Sequence, residues 1–190
     1  MKGIIIIFIF CFSFISCNKN ESPTENNYEG VNHITAIFKF NEIEAYAKAE
    51  DNALRLKNIV SNDVSYNGYS NSWSYKYSKH IDSIVVTSKH YYLSSFYDSI
   101  HCDSIVFRES TVGDAYISQS WMNSDKAFVI AENNGGKDFR KNNSSYNISA
   151  SLSEAVVPNS KPIWNIRYTS KINGSISFSI RVNAISGAVE

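Results

Sequence analysis

Residues 162–187, PIWNIRYTSKINGSISFSIRVNAISG, contain the pattern that decides the fold. Apolar residues alternate with polar ones in two runs, and Asn173-Gly174 lies between them. Alternation with a period of two is typical of a strand that buries one face, and Asn-Gly favours hairpin turns that need positive φ. The stretch therefore predicts an antiparallel hairpin whose inward residues are Trp164, Ile166 and Tyr168, then Ile176, Phe178, Ile180, Val182 and Ala184.

Further strands are predicted between this hairpin and the N-terminus. Pro158 and Pro162 separate the hairpin from another alternating run. The 12 Tyr and 11 Phe residues suit a sheet, because aromatic side chains fit a pleated, half-buried surface. The predicted strand positions are Tyr146, Ile148, Ala150 and Leu152; Trp73, Tyr75 and Tyr77; Ile84 and Val86 after Asp82; and residues 91–107 with a break near Asp98-Ser99.

A first helix is predicted after Asn41, which together with Glu44 resembles an N-cap and its reciprocal partner. Apolar residues then recur at spacings of 3 and 4 up to a helix end near Asn62. The preceding residues 34–40 alternate, and they fit either an entering strand or an early extension of the helix. The predicted inner face consists of Tyr46, Ala49, Ala53, Leu56 and Val60.

A second helix is predicted with Ser124 as its N-cap and Gly135-Gly136 as its stop. Its inward residues are Ala127, Phe128 and Ala131. Two helices among antiparallel strands predict an α+β fold in which an antiparallel sheet is packed by two helices.

The first 17 residues, MKGIIIIFIFCFSFISC, have the layout of a secretory signal peptide. The apolar run that follows Lys2 covers about 13 residues, which is short of the roughly 20 that a membrane-spanning helix needs. Ser16-Cys17 at its end resembles a bacterial lipobox. That resemblance implies removal of residues 1–16 and diacylation of Cys17. A plain signal peptide and a retained anchor are the alternatives.

Residues 17–30 would then hold the lipidated cysteine and a flexible tether, since the stretch is polar and contains Pro23. Lys19 and Glu21 are similar to the short charged signal that Bacteroidota use to send lipoproteins to the cell surface. We expect the cell envelope, at the outer membrane, with the domain either periplasmic or surface-exposed.

The charge and cysteine content limit which molecules the chain can bind and which disulfides it can form. Lys+Arg and Asp+Glu both number 18, so the formal net charge is +0, which argues against nucleic acid as a partner. The neutral domain offers no basic patch for anionic lipids, so the acyl chains would be its membrane attachment. Because Cys11 leaves with the signal and Cys17 carries lipid, Cys102 has no partner within the chain. We expect its thiol to be buried.

The two halves of the chain, residues 31–118 and 119–190, repeat one pattern of helix and strands. Each half has a helix with small inner residues and then a Trp-led aromatic strand, at Trp73 and at Trp164. The ending from Arg181 to Val189, RVNAISGAV, also resembles the end of the PepSY domain, with Asn183 for a common Asp and Ser186 for a common Thr. The resemblance implies tandem PepSY-like units that bind or inhibit a partner, without catalytic residues. We expect Gly187 to need positive φ, and Asn183 and Ser186 to bond that turn's backbone.

Polar clusters predict no chemistry of their own. In His101-Cys102-Asp103, neighbouring side chains of a strand point to opposite faces, so His101 cannot activate Cys102. His80, Asp82, His90, His101 and Asp103 would compose a metal site only if their strands were adjacent, and a polar sheet surface explains them as well. We therefore predict no catalytic residue, metal or cofactor.

Exposed aromatic residues are the remaining candidate binding feature. Trp73, Tyr75 and Tyr77, with Tyr66, Tyr69, Tyr91, Tyr92 and Tyr97, would form a platform for sugar rings or a peptide if they faced solvent, whereas alternating aromatics are more often core. We expect a non-enzymatic envelope lipoprotein that binds a protein or peptide, such as a protease modulator. The alternative is a carbohydrate-binding accessory lipoprotein, and the exposure of the Trp73 strand discriminates between the two.

Overall fold

The computed structural model describes residues 32–82, 87–109, 115–117, 120–154 and 160–190. Within these ranges, the helical segments Ser124–Ala131 and Lys137–Asn142 are joined by a π-helical turn, Glu132–Gly136, so the two form one kinked helix. The fold is α+β and mostly sheet. Its elements in chain order are α1 (Phe40–Glu50), β1 (Arg55–Ser61), β2 (Trp73–Asp82), β3 (Thr87–Ser95), β4 (Ile100–Glu109), α2 (Ser124–Ala131), α3 (Lys137–Asn142), β5 (Tyr146–Glu154), β6 (Pro162–Ser170) and β7 (Ser177–Asn183).

All seven described strands form one antiparallel sheet in the order β4-β3-β2-β1-β5-β6-β7. Strands β1 and β5 are neighbours at its centre, so one sheet runs through both predicted halves of the chain. The expected boundary between the halves, at residues 118 and 119, lies outside the described residues. The strand positions predicted at Ile84 and Val86, and the loop residue Pro158, also lie outside them.

Alternation along the strands separates a helix-covered inner face from an outer face. Trp73, Tyr75 and Tyr77 are fully buried, as are Trp164 and Tyr168. Helix residues Ile43 and Ala47 of α1 and Ala127, Phe128 and Ala131 of α2 join the same core. The inward positions predicted on β2, β5 and β6 are therefore confirmed. On the last strand, the prediction that Ile176 faces inward is wrong, because Ile176 precedes β7 and is 47% exposed.

The first helix is shorter than its sequence pattern predicts. It ends at Glu50, and residues 55–61 form strand β1 instead. The inner face is Ile43 and Ala47, whereas the predicted inner residue Tyr46 is 56% exposed. Asp51 ends the helix by accepting a hydrogen bond from the Ala53 amide, and the β-branched pair Ile59-Val60 prefers a strand.

The start of that helix also differs from the prediction. Lys39 occupies the N-cap position without a side-chain cap, and Asn41 lies inside the first turn. Residues 34–39 form neither an entering strand nor a helical extension, and the helix begins at Phe40. Ile34 makes a single bridge to Ser70, and a turn then leads into α1.

In the second helix the cap lies one residue earlier than predicted. Asn123 is the N-cap, and its Oδ1 accepts from the Ser124 amide at 2.8 Å. Ser124 itself is buried, where its Oγ accepts from the Ala36 amide and donates to the Gly68 carbonyl. The predicted stop is only a kink, because Gly135 has φ +117° and the helix resumes at Lys137.

The C-terminal turn forms as its residues predict. Gly187 has φ +76°, which favours glycine. Asn183 Oδ1 accepts from the Ile185 and Ser186 amides at 3.0 Å each, and Ser186 Oγ accepts from the Ala188 amide at 3.2 Å. The hairpin turn between β6 and β7 differs from expectation, since Gly174 does not have positive φ; Asn173 Oδ1 accepts from the Ser175 amide instead.

Candidate functional site

The aromatic residues predicted as a stacking platform are internal. Trp73 Nε1 donates to the Ile34 carbonyl at 3.0 Å, Tyr75 to the Ala36 carbonyl at 2.8 Å, and Tyr77 to Glu44 Oε2 at 2.8 Å. All three rings are 0% exposed. They therefore present no face to a sugar ring or a peptide, and the carbohydrate hypothesis loses the residues on which it depended.

The second half of the chain uses the same kind of bond. Trp164 Nε1 donates to the Met122 carbonyl at 2.9 Å, and the Tyr168 hydroxyl donates to Glu132 Oε1 at 2.9 Å. The rings of Trp73 and Trp164 meet edge to face with centroids 5.8 Å apart. Buried hydroxyls need such partners, since an unpaired one costs about 1 to 3 kcal/mol.

The buried tyrosines are held in their neutral form. Burial raises the pKa of Tyr77 and Tyr168 well above the usual value, and the adjacent carboxylates of Glu44 and Glu132 raise it further. Burial likewise raises the pKa of Tyr75, against a small opposing effect of Ser95. These groups serve the core, and none of them opens to solvent.

Other candidate aromatics remain near the surface but are scattered. Tyr66 is exposed beneath Arg140, whose guanidinium lies 4.4 Å from the ring centroid. Tyr97 stacks on Phe38 at 5.8 Å, and Lys76 lies over the Tyr92 ring at 5.5 Å. Tyr66 and Tyr97 lie outside the strands, and Tyr92 lies opposite Lys76 on β3. Among the described residues, these rings therefore form no continuous platform with Trp73, Tyr75 and Tyr77.

Cys102 is exposed, which corrects the expectation of burial. It lies on β4, which is an edge strand of the sheet that the described residues form. On its inner side it neighbours Tyr91: burial raises the pKa of that phenol to about 12, and a hydrogen bond with the Cys102 thiol adds to the effect. Sequence cannot reveal an edge position, because it does not specify the strand order.

The histidine and carboxylate residues do not assemble into a metal site in the described part of the chain, where no group of three or more His, Cys, Asp and Glu could hold an ion. Asp103 accepts a hydrogen bond from Ser94 at 2.6 Å, and His101 packs edge-on against Phe96. The hypothesis for His80 and Asp82 concerns side chains outside the described part.

The outer side of β1, β5, β6 and β7, here named the open face, carries a groove of about 430 Å³. Its outward residues follow from the same alternation that buries Trp164 and Ile166. Toward β2 and β3 the outer side is no longer exposed, because Ser78, Ser88 and His90 are buried there. The groove is lined by Val60, Asn62, Ser149, Ala150, Ser151, Asn165, Ile166, Arg167, Ser179, Ile180 and Arg181.

The groove combines two cations with unengaged polar side chains. Arg167 is exposed and, within the described ranges, has no ion-pair partner. Arg181 lies 3.5 Å from Glu190 Oε2, and both side chains are largely exposed. The side chains of Asn165 and Ser151 make no hydrogen bond to another described residue. Both can therefore hydrogen-bond a ligand. The sequence analysis assigned a binding role to none of these residues, although the alternation of the last strand predicts that Arg181 faces solvent.

A second cleft, of about 900 Å³, lies beside α1. Two of its charged side chains, those of Glu44 and Lys48, already bond the fold. Glu44 accepts from Tyr77, and Lys48 Nζ donates to the carbonyls of Asn52 and Leu54. We therefore regard the open face as the candidate site.

Cys17, the predicted lipidation site, and the tether up to residue 30 lie outside the described residues. Among the helices that the structure describes, none is long and apolar enough to cross a membrane. No protein-family model matches the sequence, and no curated protein or solved structure is significantly similar to it.

Proposed function

We propose that this protein is a non-enzymatic lipoprotein of the cell envelope that binds a protein or peptide partner on its open face. The observation that carries the proposal is the groove on the side of the sheet opposite the helices. There Arg167, Asn165 and Ser151 make no side-chain hydrogen bond or ion pair among the described residues. A role as a protease modulator fits such a surface, because an inhibitor needs a rigid face and no catalytic groups.

We further propose that the chain is a tandem of two PepSY-like units. Ten positions separate Ile34 from Glu44, and ten separate Met122 from Glu132. In each half, a tryptophan bonds the first member of the pair, and the tyrosine four positions after that tryptophan bonds the second. Repetition of two buried, specific hydrogen bonds at matching spacings supports duplication better than similar composition would.

The sheet order is consistent with this duplication. Strands β1, β2 and β3 would correspond to β5, β6 and β7, which lie in mirrored order on either side of the centre. Val60 pairs with Ser151 at the β1–β5 contact, where an approximate two-fold axis would pass. The turn formed by Asn183, Ser186 and Gly187 adds support for a PepSY-like second unit.

Membrane attachment would come from acyl chains on Cys17. The chain carries the lipobox-like Ser16-Cys17 directly after an apolar run, and its neutral charge offers little attraction to anionic lipid. This leaves the open face available to soluble or membrane-bound partners.

Position-specific crosslinking in the native envelope tests the proposed function. A photo-reactive amino acid would replace Ser151 at the centre of the open face, and in a control it would replace Val129, which is exposed on α2. We expect a discrete adduct from position 151 and none from 129. Equal adducts from both positions, or none from 151, would refute a binding role for the open face.

A further inference from the structure

Two arginines lie side by side in the groove. On adjacent strands, Arg167 pairs with Ser179 and Asn165 pairs with Arg181, so the two arginines are diagonal neighbours. Diagonal positions on one face are roughly 7 to 8 Å apart. Two positively charged side chains at neighbouring positions repel each other, and an anion bound between them removes the repulsion.

The surroundings of this pair suit a carboxylate. A guanidinium presents its N–H groups in a planar fork that matches a carboxylate, and Asn165, Ser149 and Ser179 add neutral hydrogen-bonding groups along the same groove. Glu190 already demonstrates that a carboxylate reaches Arg181, at 3.5 Å. That exposed pair is weak, so an incoming anion can replace it.

The lining also discriminates between kinds of anionic ligand. None of the described residues that line it is aromatic, so they offer a sugar no ring on which to stack, and Val60 offers an aliphatic contact for a peptide side chain. Extended peptides are recognised through hydrogen bonds to their main chain and through pockets for alternate side chains. Asn165 and Ser151 offer side chains for such hydrogen bonds. We propose that the groove binds an acidic, extended segment of a protein partner, with a carboxylate between Arg167 and Arg181. This inference rests on the proposed function of the open face.

In the first half of the chain, the residue that corresponds to Arg167 is Lys76, and its charge already contacts an aromatic ring. By the proposed duplication, Lys76 of β2 corresponds to Arg167 of β6, since each lies three positions after its tryptophan. Lys76 lies over the Tyr92 ring, 5.5 Å from its centroid. The acidic segment is therefore expected at the β5–β7 side of the open face only.

Direct titration tests the proposal. The mature chain, residues 17–190 with Cys17→Ser, would be titrated at low salt with a blocked peptide of alternating Glu and Thr, and its backbone-amide NMR spectrum would be recorded. We expect saturable shifts at residues of β5, β6 and β7 that line the groove, and none with the matched Lys-Thr peptide. Shifts with both peptides, or with neither, would overturn the proposal. Saturable shifts with oligogalacturonate but not with the Glu-Thr peptide would refute the peptide assignment.

Variants sharpen the test. Replacing both arginines, Arg167→Gln with Arg181→Gln, should weaken binding roughly tenfold or more, because two charge-assisted contacts are lost. Glu190→Gln should strengthen binding roughly two- to fivefold, since it removes a competing carboxylate. Arg55→Gln is the matched control, because Arg55 is exposed beside α1 and outside the groove. An unchanged affinity in the double variant would refute the arginine site.

The crosslink from position 151 separates the two proposals. If the adduct persists in the Arg167→Gln, Arg181→Gln double variant, the open face binds a partner but the acidic-segment inference is wrong. If position 151 never gives an adduct, the proposed function fails first.

Discussion

Alkaline pH should strongly destabilise this domain, because Tyr75, Tyr77 and Tyr168 are buried in the core. Their pKa values are raised above the usual 10.0, first by burial. Above pH 10 the unfolded chain releases these protons while the folded chain keeps them. The stabilisation is therefore fully present below pH 10 and is lost progressively as the pH rises toward the folded-state pKa.

The magnitude follows from proton linkage. Each such tyrosine lowers the free energy of unfolding by about 1.4 kcal/mol for each pH unit above its unfolded pKa. Three of them remove about 4 kcal/mol at pH 11, a large part of the 5 to 15 kcal/mol that is typical of a domain. Tyr91, whose pKa is about 12, adds to the effect in the same direction.

Urea unfolding at pH 8, 10 and 11 measures this loss, and tyrosinate absorbance follows ionisation in parallel. We expect the absorbance of the buried tyrosines to rise together with loss of the native circular dichroism. Tyr168→Phe should reduce the loss between pH 8 and 11 by about 1.4 kcal/mol, whereas Tyr97→Phe, at an exposed ring, should not. A fold that persists while all tyrosines ionise near pH 10, or an unchanged slope in Tyr168→Phe, would refute the reasoning.

Three further predictions use other parts of the chain. Phe178→Ala should lower the free energy of unfolding in urea by about 2 to 4 kcal/mol, because the ring is partly buried against the core, while Ser179→Ala on the open face should change it by less than about 0.5 kcal/mol. Gly187→Ala should cost about 1 to 2 kcal/mol at its φ of +76°, whereas Gly174→Ala, with nothing within 4 Å of the added Cβ, should be close to neutral in thermal unfolding. Cys17→Ser should release the protein from membranes in fractionation, and a cleaved variant that stays membrane-bound would contradict lipid anchoring.

Sequence patterns predicted the inner face of the sheet where alternation is long and unbroken. Trp73, Tyr75 and Tyr77, and the run from Trp164 to Tyr168, occupy the face that their spacing indicates. The same reasoning failed over residues 51–62. There a short apolar run satisfies both the helical and the strand period, and only the pairing of β1 with β2 and β5 decides between them.

The candidate site was harder to predict because it depends on strand order. Arg167 and Arg181 are 14 positions apart in the chain, and no local motif marks either of them. Their proximity follows from the register of β6 against β7. The exposure of Cys102 was missed for a related reason, since the sequence does not identify β4 as an edge strand.

The two faces of the sheet differ in how strongly the fold depends on their side chains, and this difference explains why the open face suits binding. On the inner face, the tryptophans and tyrosines are both packed in the core and hydrogen-bonded to other residues. A substitution there therefore loses core packing and a hydrogen bond together. Outward positions such as Ser151, Asn165 and Arg167 make no comparable contacts within the described residues, and changing them costs little stability. A partner-specific surface can therefore diverge there without loss of the fold. Binding variants in the groove should accordingly leave urea midpoints unchanged, and a groove variant that lost affinity only by unfolding would place the open face among the structural elements instead.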